Sequence, residues 1–69
     1  MITELWESDP FTQRRQTMIS EIDSDYPWSN GDIFVDKRGG DFTKFRVLSV
    51  HVELLDDGLR REILALRID

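Results

Sequence analysis

His51 is the single imidazole of the chain, and there is no cysteine to set beside it. General acid–base or nucleophilic chemistry needs a second group within hydrogen-bond reach, and a zinc site needs several nitrogen or sulfur ligands. His51 therefore reads as a strand surface residue, with no metal or cofactor implied. The run Asp23-Ser24-Asp25 opens like a calcium loop, whose oxygen ligands alternate before a glycine and close on a glutamate. Here Pro27, Trp28 and Phe34 occupy the positions where the next ligand, the glycine and that glutamate belong. The acids are expected to be solvated turn residues.

Arg38-Gly39-Gly40 offers amides beside a charge, but a phosphate loop needs a longer glycine pattern leading into a helix. Lys37, Arg38, Lys44 and Arg46 gather at one predicted hairpin end, with Lys44 and Arg46 on one strand face. Such a cluster can meet nucleic-acid phosphates, and it can equally keep a wet strand face from aggregating. The stronger candidate is acidic and aromatic: Glu21, Asp23, Asp25 and Asp32 surround Tyr26 and Trp28. Aromatic anchors dominate protein interfaces, and charge selects the partner and speeds encounter. Trp6 and Trp28 serve either as cover for a core or as exposed anchors.

Charge is unevenly spread. Up to Asp36 there are eight acids and two bases, whereas from Lys37 onward seven bases meet six acids, for a net charge of -5. That balance argues against general affinity for phosphate backbones or anionic lipid. At 69 residues the chain holds one domain with a thin core, and 39% hydrophobic residues suffice to fold it. No apolar run approaches membrane-spanning length, and Met1-Ile2-Thr3-Glu4 does not open a signal peptide. The lack of cysteine fits a reducing compartment, so the chain is expected in the cytoplasm.

The elements that must hold these residues are read from pattern and caps. Asp9-Pro10 has the chemistry of a helix start, and Phe11, Met18, Ile19 and Ile22 fall on one helical stripe, which predicts a helix over 9–23. Ile2, Leu5 and Trp6 upstream make a packed arm or short helix over 1–8. Residues 23–32 are turn formers. Ile33-Phe34-Val35 reads as a strand, paired so that Val35 faces Phe45 and Ile33 faces Val47, with a shift by two residues satisfying the pattern nearly as well. From Thr43 to Leu55 the apolar phase changes from odd to even positions, so either a bulge or sharp coil near Leu48-Ser49 switches the inward face or both faces of the strand are partly covered. Gly58 suits a three-residue hairpin loop about Asp57, setting Val50 against Leu64, Leu48 against Leu66 and Glu53 against Arg61.

The expected fold is α+β: an N-terminal helix packed on a small, strongly curved antiparallel sheet, a three-stranded meander over 32–69. A fourth strand could come from the N-terminal arm or from Tyr26–Trp28. In strand length, bulge and tight turns the sheet resembles the small SH3-like barrels, which implies nucleic-acid binding or assembly through Lys37, Arg38, Lys44 and Arg46. The leading expectation is a non-enzymatic acidic inhibitor, adaptor or accessory subunit. It would dock on a larger basic protein or nucleoprotein complex as a nucleic-acid mimic, with self-association open.

Overall fold

A computed structural model describes residues 1–69. The chain runs through β1 (Ile2–Ser8), β2 (Arg15–Asp23), β3 (Ile33–Asp36), a 3₁₀ turn (Arg38–Gly40), β4 (Thr43–Leu55) and β5 (Gly58–Arg67). One sheet contains all five strands in the order β2-β1-β5-β4-β3. Its central pair, β1 and β5, is parallel, and every other pair is antiparallel. The expected helix packed on an antiparallel meander is thus overturned: the protein is nearly all β, and its sheet is mixed. The parallel centre also departs from the SH3-like outline. No helix is long and apolar enough to cross a membrane.

The helix over 9–23 fails for a physical reason. Asp9 does cap, since its carboxylate accepts from the amides of Phe11 (2.8 Å) and Thr12 (2.9 Å). Those amides, Thr12 foremost, hold the Asp9 carboxyl below its ordinary range. The cap serves a single turn, in which Gln13 donates to Asp9 O and itself takes a φ of 58°, ending any helix and reversing the chain into β2. Within β2 the register against β1 slips between Leu5 and Trp6, leaving Ile19 as the extra residue. A bulge sets two successive residues opposite one, so Ile19 and Ile22 both reach the core at a spacing of three. That spacing imitates a helical stripe. Phe11, the first residue of the supposed stripe, is almost wholly exposed.

Odd positions of β1 point inward, placing Thr3 and Leu5 beside Arg61 and Ile63 of β5. On β4, Phe45 and Val47 face in. The register then slips between Val47 and Ser49, after which Val50 lies opposite Ile63 and Val52 opposite Arg61. The hairpin turns on Asp56-Asp57 alone, because Leu55 already pairs with Gly58. The expected pairs Val50–Leu64 and Glu53–Arg61 are therefore one residue out, and the expected Leu48–Leu66 pair is absent, because Leu48 is the extra residue at the slip and Leu66 lies opposite Arg46. β3 is also out by one: Phe34 faces Phe45, while Ile33 lies opposite Arg46 and points outward with Val35. A one-residue slip exchanges the two faces.

The core is small. Leu5, Val47 and Ile63 form its centre, and Ile19, Ile22, Trp28, Phe34 and Val50 pack around them half-buried. β2 and β3 are the two outer strands, yet the chain joins one directly to the other through Ser24–Asp32. The sheet must curl to bring them near, and the connection lies across its hollow inner face, where Trp28 seals the core.

Candidate docking surface

The connection over the inner face is positioned by Arg61. Its guanidinium donates to Ser24 O (2.6 Å), Tyr26 O (2.8 Å) and Thr3 Oγ1 (3.2 Å), binding β5, β1 and the connection into one unit. Ser24 Oγ in turn accepts from the amide of Tyr26 (3.1 Å) and from Trp28 Nε1 (3.4 Å). The aromatic rings form a continuous series. Tyr26 meets Trp28 edge-on at 4.9 Å, Trp28 meets Phe34 edge-on at 5.4 Å, and Phe34 stacks on Phe45 at 5.2 Å. Phe45 is buried, Trp28 is half-buried and Tyr26 is 53% exposed, so the series runs from core to solvent.

The acids around it divide. Asp25 is fully exposed, and its only ion-pair partner is the Met1 ammonium at 3.5 Å. Asp23 binds that ammonium more closely, at 2.8 Å, and the bond holds its carboxyl below the ordinary range. Asp32 is a turn residue: its carboxylate accepts from the amide of Ser29 (2.9 Å). Glu21 belongs to the opposite, outer face, where it lies beside Glu4 in register and takes a hydrogen bond from Arg60 (3.4 Å). On that face too, Arg15 sits over the Trp6 ring at 4.8 Å and pairs with Glu62 at 3.0 Å. Asp23 and Asp25 thus meet at the Met1 ammonium and Tyr26 meets Trp28, while Glu21 is engaged by Arg60 on the outer face.

The basic set divides as well. Arg38 is engaged by both oxygens of Asp36 (2.9 Å each) and reaches across the open side of the sheet to Ile19 O (2.7 Å). Lys37 lies 5.3 Å from the Phe42 ring. Lys44 and Arg46 are exposed on the outer face of β4 and enter no ion pair. His51 is exposed opposite Glu62. No three His, Asp or Glu side chains converge as metal ligands would.

Between the edges of β2 and β3 lies a groove of about 240 Å³, lined by the inward Leu5, Ile19, Ile22 and Phe34 and, at its rim, by Val35. Arg38 bridges its mouth. Its side-chain hydrogen bonds, with a backbone one, bring the Asp36 carboxyl down to about 2 from an ordinary 3.8. A depressed carboxyl stabilises the fold in full above its unfolded value and loses that contribution as pH falls through the folded one. Asp36→Asn should therefore lower the urea midpoint by a constant amount at neutral pH. The gap from the parent protein should shrink as pH falls below about 4 and close only below about pH 2. A gap that persists unchanged to pH 2 would show that the ion pair is not its source.

Residues that sequence reasoning passed over complete the inner face. Beyond the cover of Tyr26, Val52 (56% exposed), Leu54 (84%) and Leu59 (50%) continue the inward phase of the hairpin into solvent. The detectable signal was the even apolar phase of β4, which runs further than a core this thin can cover. No protein-family model matches the chain, nor does any curated protein or solved structure.

Proposed function

We propose that this chain is a non-enzymatic, cytoplasmic interaction domain, an inhibitor, adaptor or accessory subunit that needs no cofactor. It docks on a larger protein or nucleoprotein complex with a basic surface, where it competes with nucleic acid. The observation that carries this reading is the half-exposed Tyr26 at the solvent end of the aromatic series, with Asp25 fully exposed beside it. A rigidly held aromatic ring loses little entropy on burial, and flanking carboxylates select a cationic partner. Arg61 supplies the rigidity by fixing the backbone on which Tyr26 stands.

The test is capture from lysate at low and high salt, comparing the parent chain with Tyr26→Ala and Asp25→Lys. A genuine docking surface releases its partner as salt rises, and each variant should weaken capture about tenfold. Capture that ignores both salt and substitutions would sink the reading. The alternative, nucleic-acid contact, draws support from the exposure of Lys44 and Arg46 without carboxylate partners, though Arg38 is already engaged. Oligonucleotide binding that falls steeply with salt would favour it.

A further inference from the structure

We propose that the outer half of the β4–β5 hairpin receives an extended segment of a partner, one that alternates apolar residues with lysine or arginine. This rests on the interaction-domain reading and narrows it to one surface. β3 covers β4 only from Thr43 to Arg46, and Val47 is bonded to Gly31 and Asp32. From Ser49 to Leu55 the strand pairs with β5 alone. Its other edge carries a row of unpaired backbone groups as long as an ordinary strand, the standard template for strand addition.

Side chains on the same stretch supply the pockets and the charge. Directly paired residues share a face, so Leu54 and Leu59 stand together on the inner side, with Val52 next along β4. This apolar strip leads back through Arg61, opposite Val52, to Tyr26. Glu53, Asp56 and Asp57 are exposed in the same stretch, and none of them takes part in an ion pair. The two nearby arginines are committed elsewhere: Arg60 to Glu4 and Glu21, Arg61 to backbone carbonyls.

Charge decides the occupant. A second copy pairing edge to edge would bring the same acids together, and like charges facing each other across strands destabilise the pair. The acids thus protect the edge from copies of itself while favouring a cationic strand. Apolar residues of that strand would cover Val52, Leu54 and Leu59, and its cations would meet Glu53, Asp56 and Asp57.

The experiment titrates the full chain with three synthetic peptides of about nine residues. One alternates lysine and valine, one alternates glutamate and valine, and one is the lysine peptide with a central proline, which cannot pair along a strand. Amide shifts are followed by NMR. The lysine peptide should move Ser49–Leu59 and leave β2 unmoved, and the other two should bind about tenfold more weakly or not at all. Glu53→Lys and Leu54→Ser should each weaken it about tenfold while leaving the spectrum of the rest of the sheet in place. Equal binding of the glutamate peptide, shifts centred on the β2–β3 groove, or a self-association that buries the hairpin in sedimentation would each overturn the proposal.

Partner capture separates the two readings. Loss with Tyr26→Ala but not with the hairpin variants defeats the strand-docking arm alone. Indifference to every variant defeats both.

Discussion

Ile63→Ala should remove a large share of the chain's stability. Ile63 has no exposed surface and is one of three residues at the centre of the core. Removing its outer carbons costs about 2–5 kcal/mol, because the transfer free energy is lost and a cavity remains. Stability of roughly 0.05–0.15 kcal/mol per residue gives a chain this short only about 3–10 kcal/mol in total. Few other buried side chains are available to compensate. Urea unfolding followed by tryptophan emission measures the loss, with Ile33→Ala as control. Ile33 points outward from a strand edge, and its truncation should stay within about 0.5 kcal/mol. A cost for Ile63→Ala below about 1 kcal/mol would mean that the core is not centred where these contacts put it.

Arg61→Ala should be the next most damaging change, and its mark should be different. Three hydrogen bonds from one guanidinium tie Ser24 and Tyr26 to Thr3, whose side chain is fully buried. Bonds from a charged donor are worth about 1.5–3 kcal/mol each in favourable settings, and partial solvent access here brings the expected total to about 2–3 kcal/mol. The loss should fall first on the connection across the inner face. Trp28 emission should shift to the red before the sheet unfolds, giving two transitions where the parent chain gives one. Arg61→Lys keeps the charge but not the planar fork, so it should recover less than half of the lost stability. Full recovery by lysine would show that charge alone, without the fork geometry, holds the connection. The same variant bears on docking, since Tyr26 would lose its fixed backbone.

Several local features were legible before the structure. The change of apolar phase along Thr43–Leu55 left a bulge near Leu48-Ser49 as one of two readings, and the register slips there. Asp9 has the side-chain chemistry of a cap and does cap, but it closes a single turn instead of starting a helix. The error over 9–23 arose because a β-bulge at Ile19 spaces inward residues by three, as a helix does. The β4–β5 register differs by one from the expected one because its turn uses two residues and not three, and a one-residue difference exchanges the two faces of β5. For the candidate site, the types of residue were visible but their company was not. Glu21 and Tyr26 are five apart in sequence and lie on opposite faces of the sheet.

By itself the sequence determined the quantities that depend on neighbours along the chain: the capping chemistry of Asp9, the switch of apolar phase in β4, and the acidity of the first half. Tertiary structure alone decided the parallel pairing of β1 with β5, the passage of Ser24–Asp32 over the inner face, and the role of Arg61. Those depend on closing loops of many residues, where small registry preferences and the reach of one guanidinium choose among arrangements that local propensity leaves nearly equal. The exposure of Val52, Leu54 and Leu59 follows from the same choice, because the connection is long enough to cover one half of the inner face and not the other.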